Sequence, residues 1–373
     1  KIKMKIAFLG PAYPLRGGIA QFITLLADEF IKKNHEVKIF SFRKQYPKLF
    51  FPGKNQIDEN EKAPDFDIQP VLTPYNPVTW IPTAKKIKQW QPDILILKYW
   101  IPFFAPAFGF VLLSLKSSKI KKIYLIDNIE FHEKWLFAKT LTKFAFSKAD
   151  KLVTLSKAVY KNAKEMFPHK QVILGFHPTY NCYDQNRFDK KSAKEKLGLN
   201  EKKVILFFGF IKPYKGLDLL LYAFPKILEK IPNAHLLIVG ETYGSSEIYY
   251  KIIKDLKLSE NIKFIEKFVQ TDEVEIFFKA ADVLALPYKQ ATQSGIAQIG
   301  FDMMLGAVAT PVGGLPEIVI DKKTGIVAKS CSADDFAQAV LDFFRLDEKK
   351  LSENIEIENR KYSWDSFAEI ILN

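Results

Sequence analysis

Two short stretches carry the side chains best suited to chemistry. In "FFGFIKPYKGLDLLLYAF" (207–224) an apolar run ends at Gly209, and Lys212 and Lys215 follow before Gly216 and a helical pattern. Two cations in a turn at the carboxyl end of a strand can neutralise a diphosphate. Taken alone, the stretch reads first as two solvated loop lysines. In "ALPYKQATQSGIAQIGFD" (285–302) Ser294 and Gly295 stand at the start of a helical pattern, where backbone N–H groups can bind phosphate oxygens. Gln298 follows about one turn further in, and its amide both donates and accepts, which suits the vicinal hydroxyls of a sugar. The plainer reading of Ser294 is a helix cap.

A third glycine turn, "GPAYPLRGGIAQF" (10–22), places Gly17 and Gly18 just before a helix. Glycine lets a backbone approach a ligand closely, and the helix start offers N–H groups to an anion. The pattern is not G-x-G-x-x-G, so a dinucleotide site is not supported. "PVGGLPEIV" (311–319) supplies a further paired-glycine turn, Gly313 and Gly314, ahead of Glu317. None of the five histidines has a metal-ligand partner at suitable spacing, so no metal site is expected. His132, in "DNIEFHEKW" (127–135), follows a strand end and is a catalytic candidate, against the plainer reading of a surface histidine. No nucleophile elbow, P-loop or pair of hydrolase carboxylates stands out.

These turns need strands and helices to hold them. "KIAFLG" (5–10), an amphipathic segment at 17–34 and "HEVKIFSF" (35–42) form one β-α-β unit. "DILILKY" (93–99), "KIYLID" (122–127) and "KLVTLS" (151–156) continue the series. A polar, charged stretch over 178–203 reads as a linker with a short helix. A second series follows with strands at 204–210, 234–240, 262–268, 282–287, 307–312 and 324–329. The expectation is α/β: two Rossmann-like domains, 1–178 and 204–358, facing a central cleft and joined by a linker over 179–203, with a last amphipathic helix within 359–373.

Composition sets the outer bounds. The 373 residues exceed one ordinary core. A net charge of +13 fits an anionic small ligand or an anionic membrane surface. The lysines are scattered and no nucleic-acid-binding signature appears, so nucleic acid is not an expected partner. Two cysteines far apart, Cys182 and Cys331, suit a reducing compartment. "KIKMKIAFLGPAY" reads as a first β-strand rather than a signal peptide. "WIPFFAPAFGFVLLSL" (100–115) is too short to span a bilayer and reads as a buried loop and helix. The sharper alternative is a face that dips into a membrane interface, since "AKKIKQW" and "KSSKIKK" flank it.

Taken together, "GGIAQF", "LADEF", "NHEVKIF", "FFGFIKPYKGLDLLLYAF", "AHLLIVG", "AADVLALP" and "TPVGGLPEIV", in that order and spacing, resemble the retaining glycosyltransferases of the GT-B fold, glycosyltransferase family 4. The resemblance covers nearly the whole chain and is strongest over 204–329. It implies that the second domain binds a nucleotide sugar and the first largely holds the acceptor. It implies that "YSWDSFAEIIL" is a closing helix packed back on the first domain. Lys215 matches the lysine that contacts the donor diphosphate. Phe210 stands where the family often has an arginine, which leaves Lys212 to supply the second charge. Phe268 lies in the loop that reads the base, and Gly17 and Gly18 match the loop that closes over the diphosphate. Gln290 and Gln298 take the positions of two family glutamates. Trp100 and the pair Asp127-Asn128 replace other family residues, a histidine and a histidine-asparagine pair.

The implied reaction moves a sugar from a UDP- or GDP-linked donor to a hydroxyl of a glycan or lipid-linked acceptor, with retention and without a metal or other cofactor. Lys212 and Lys215 would stabilise the leaving diphosphate. The resemblance also implies cell-surface polysaccharide synthesis in the cytoplasm, at the inner face of the membrane. Two alternatives stay open: a non-catalytic nucleotide-sugar or glycan-binding protein, and a nucleotide-sugar epimerase.

Overall fold

Strands apolar on both faces belong in parallel sheets covered by helices on each side. The structure, a computed structural model, describes residues 3–47, 56–57, 63–129, 137–180 and 182–373. Two compact units emerge: Lys1–Phe176 with Trp364–Asn373, and His177–Ser363.

Among the described residues, the first unit holds seven parallel strands: β1 (Lys5–Leu9), β2 (Glu36–Phe42), β3 (Asp67–Leu72), β4 (Ile94–Tyr99), β5 (Lys121–Ile126), β6 (Lys151–Thr154) and β7 (Gln171–Leu174). Their order is β3-β2-β1-β4-β5-β6-β7, so the winding reverses between β1 and β4. One face is covered by α2 (Trp80–Trp90), α3 (Ala105–Ser114), α4 (Ala138–Ser147) and α5 (Lys157–Met166), which share one core. The other is covered by α1 (Gly18–Lys32) and the C-terminal helix (Trp364–Leu372).

That C-terminal helix is fixed at both ends. Phe22 of α1 meets Trp364 and Phe367 edge-on, with ring centroids 5.0 and 5.8 Å apart. Lys33, just past α1, donates to Asp365 and, at 2.9 Å, to Glu369. Lys151, fully buried on β6, donates to the Ile371 carbonyl at 2.8 Å, where the helix end is electronegative. The helix therefore packs back on the first domain.

Among the described residues of the second unit six parallel strands run β10-β9-β8-β11-β12-β13, with β8 (Lys203–Phe208), β9 (Ala234–Val239), β10 (Ile262–Ile265), β11 (Val283–Leu286), β12 (Ala307–Ala309) and β13 (Gly325–Val327). The winding reverses between β8 and β11. Along β8, Ile205 and Phe207 enter the core shared with α7 (Leu217–Lys230), α8 (Glu247–Asp255) and the helix Ala333–Phe343. Phe208 points the other way and meets Phe278 of α9 (Val274–Ala280) at 4.9 Å. The stretch before β8 folds into α6 (Lys190–Leu197), started by a reciprocal Asp189–Ser192 capping box and stopped by Gly198 in the left-handed conformation. Arg187, beside it, holds the fully buried Glu275 carboxylate at 3.0 Å.

Candidate nucleotide-sugar site

In an open parallel sheet the ligand crevice lies at the carboxyl ends of the strands, where the winding reverses. In the second unit that point is flanked by the turns after β8 and β11. The chain leaves β8 through Gly209 at φ 100°, and an added Cβ would lie 3.1 Å from the Lys215 Nζ and 3.2 Å from Ile296. A single 3-10 turn, Pro213–Lys215, follows. Gly216 ends it at φ 68° and starts α7; a Cβ there would overlap the Pro287 carbonyl oxygen just past β11. The two turns are also tied by the Lys289 N–H donating to the Tyr214 carbonyl at 2.7 Å.

This turn buries Lys215, which is only 8% exposed. Its ammonium lies 5.5 Å from the centre of the Tyr288 ring, and among the described residues no carboxylate pairs with it. Burial pushes its pKa down from 10.5 to about 8, and the Lys212 charge adds to the shift. Below that pH the turn holds a buried positive charge without a counter-ion among the described residues. Such a charge is costly unless an anion completes it. The neighbouring Lys289 differs, because Asp218 neutralises it at 2.6 Å.

Beside Lys215 lies an aromatic cluster. Phe210 and Tyr243 have ring centroids 4.7 Å apart; Phe210 and Phe268 stack at 6.2 Å with 28° between their planes. The Lys212 ammonium sits 4.7 Å from the Tyr243 ring. The three rings stand past the carboxyl ends of β8, β9 and β10 and are half-buried. Flat aromatic surface next to buried positive charge matches a base on one side and phosphates on the other. Phe210, which the sequence marks only as a missing arginine, is the centre of this cluster. Tyr243 carries a weaker sequence signal, "GETYG" just after a strand.

The turn after β11 closes the other side. The helix α10 (Gly295–Asp302) begins at Ser294, whose hydroxyl accepts from the Ala297 N–H at 3.2 Å. Ser294 is thus the helix cap and is itself buried, with the Tyr288 phenol hydrogen-bonded to it. Gly295 is close to Tyr180; a Cβ would lie 3.3 Å from that ring and 3.6 Å from the His177 Nε2. Gln298 is 1% exposed, and among the described residues its amide oxygen has no hydrogen-bond partner. Gln290, by contrast, is exposed on the loop. The Gly313 turn presses against the Ala291 carbonyl from the far side.

The structure therefore gathers Gly209, Lys212, Lys215, Phe268 and the start of α10 around one reversal point. Gly17 and Gly18 lie in the first unit, where Gly17 caps α1 at φ 112° and none of the described residues lies within 4 Å of where its Cβ would be. His132 lies outside the described residues. Among those residues, no three His, Cys, Asp or Glu side chains converge as a metal-binding group.

The first unit's own strand ends carry a different arrangement. Lys98 on β4, 1% exposed, pairs with Asp127 just past β5 at 2.7 Å and lies 3.5 Å above the centre of the Phe22 ring. Burial pulls the lysine pKa down and pushes the aspartate up; their mutual attraction opposes both shifts. Trp100 packs on Phe104, with ring centroids 4.3 Å apart.

Residues 189–362 match the family "Glycosyl transferases group 1", and residues 16–174 match "Glycosyltransferase Family 4". The chain is 24% identical to spore coat protein SA of Bacillus subtilis, over 99% of this chain and 98% of that one. It is 25% identical to a GDP-mannose-dependent alpha-(1-6)-phosphatidylinositol monomannoside mannosyltransferase of Mycolicibacterium smegmatis, over 88% and 86%. Among solved structures, Anabaena HepE in complex with UDP superposes with a TM-score of 0.74 at 15% identity, over 99% and 98%. The chain belongs to the glycosyltransferases of the GT-B fold, family 4.

Proposed function

We propose that this chain transfers a hexose-like sugar from a nucleoside-diphosphate donor to a hydroxyl of a glycan or lipid-linked acceptor, with retention of anomeric configuration and without a metal. The observation that supports this most is Lys215, a buried cation at the reversal point of the second sheet with no carboxylate partner among the described residues. Departure of the nucleoside diphosphate breaks the sugar–phosphate bond and leaves negative charge on the phosphate as positive charge develops on the sugar. Lys215, with Lys212 nearby, would hold that leaving charge in a site largely shielded from water. The phosphate oxygen released would take the acceptor's proton as the acceptor attacks the same face. The orphaned amide oxygen of Gln298 fits a ribose hydroxyl.

The donor base is either uracil or guanine. The acceptor class rests on the phosphatidylinositol-mannoside mannosyltransferase, a distant relative that names a lipid acceptor. A role in surface polysaccharide assembly at the inner face of the membrane follows from the same reading. Release of UDP or GDP from a panel of donor sugars, required to depend on an added acceptor and to persist in chelator, tests it. Product of retained configuration is expected. Tight nucleotide binding with no transfer to any acceptor would instead favour a binding protein descended from a transferase.

A further inference from the structure

The amino ends of the second sheet, opposite the strand ends that hold Lys215, carry another group of polar side chains that the fold leaves unmet. His235 is the second residue of β9 and is 8% exposed. Among the described residues neither of its ring nitrogens has a hydrogen-bond partner. A neutral imidazole has one N–H to donate and one lone pair to accept with, so leaving both unmet in a buried position is costly.

The strand register shows what surrounds it. Val204 of β8 pairs with His235, and Lys263 of β10 pairs with Leu237. Side chains alternate along a strand, so His235 and Lys263 project from the same face of the sheet. That face meets the end of α6, where the Lys263 ammonium donates to the Leu197 carbonyl at 2.7 Å and so uses one of its three N–H groups. Lys202 leads into β8 on the other side of His235. Burial first, and then the charges of Lys202 and Lys263, lower the His235 pKa. Both lysines are half-buried, and among the described residues neither is in an ion pair. Asp282, just before β11, is already held by Lys190 at 2.8 Å and by Lys194 at 2.7 Å. Glu201, beside Lys202 in sequence, is exposed.

We propose that Lys202, His235 and Lys263 form a binding site for phosphate or a phosphate monoester, with the two ammoniums and the imidazole N–H contacting its oxygens. Donors arriving from three adjacent strands suit a tetrahedral anion, whose oxygens point in several directions, better than a planar carboxylate. The site lies at the opposite ends of the strands from Lys215, and it does not depend on the transfer reaction.

Titration of the full chain with inorganic phosphate and with methyl phosphate, following the histidine ring protons by NMR, tests it. Chloride at matched ionic strength is the control. The His235 resonances are assigned by their loss in His235→Gln. They are expected to shift to saturation with phosphate, and to do so equally in Lys215→Met, which separates this site from the one assigned to the nucleotide. Tighter binding of methyl phosphate would identify a monoester as the ligand, and tighter binding of phosphate the free ion. Lys202 makes no side-chain hydrogen bond among the described residues, so the fold does not rest on it. Lys202→Gln should weaken binding at least roughly tenfold, the loss of one charge-assisted contact. Two results would overturn the proposal: a His235 shift no larger with phosphate than with chloride, as a water bound to the ring would give, or an unchanged dissociation constant in Lys202→Gln.

Discussion

Each sheet buries a lysine near the carboxyl ends of its strands, and the two lysines live in opposite circumstances. Lys98 in the first unit is sealed against Asp127 at 2.7 Å. Lys215 in the second lies against Tyr288 and Gly209, with no carboxylate partner among the described residues. The two folds repeat each other, but only one of these positions leaves its charge to be completed from outside. A buried pair is a finished structural element; a buried single charge costs the folded state stability and, in the proposed function, is completed by the diphosphate.

That contrast predicts opposite responses to the same substitution. Lys98→Met removes the cation that pairs with Asp127, and Asp127→Asn leaves the buried ammonium without its carboxylate. Either should destabilise the protein by about 3–5 kcal/mol in denaturant titration. Replacing both with apolar residues should recover most of the loss. A single substitution that costs less than about 1 kcal/mol would mean that the pair is hydrated in solution.

Lys215→Met should do the reverse. In the folded chain burial lowers the Lys215 pKa to about 8, against 10.5 when exposed. The unfolded chain therefore binds more protons between those values, and stability from this group rises with pH across that window. Below about pH 8 the folded protein carries the full penalty, up to about 3 kcal/mol. Removing the charge should leave the melting temperature unchanged or higher at pH 7. A melting temperature that falls as far as in Lys98→Met would show Lys215 to be structural.

The aromatic cluster should matter less, and only to the ligand. Phe210→Ala is expected to weaken nucleotide binding by about 1–3 kcal/mol through lost stacking. It should weaken inorganic pyrophosphate binding far less. Equal losses for both ligands would place the base elsewhere.

The sequence made most of this architecture readable, and the places where it failed are informative. Strand patterns read as 204–210 and 262–268 stop in the structure at Phe208 and Ile265. The overrun residues Phe210 and Phe268 keep the apolar pattern because they form a platform beyond the strand, not because they pair within the sheet. β3 and β7 were missed, as each lies at a sheet edge with only partial burial and weak apolar patterning. Lys212 and Lys215 were visible as residues, but their difference was not. Sequence spacing cannot show that the turn buries one of them while the other lies over Tyr243. Ser294 was readable both as a cap and as a phosphate contact, and the structure gives it the capping bond.

The most direct test of the account is calorimetric titration of UDP and GDP into wild type and Lys215→Met across a pH series. If Lys215 receives the diphosphate, one of the two nucleotides binds wild type with constant strength below about pH 8 and progressively more weakly above it, since binding requires the protonated lysine. Lys215→Met should bind that nucleotide roughly ten- to hundredfold more weakly at pH 7, with the pH step gone. Wild-type and variant curves that coincide at every pH would contradict the claim that this buried charge is the diphosphate's counter-ion.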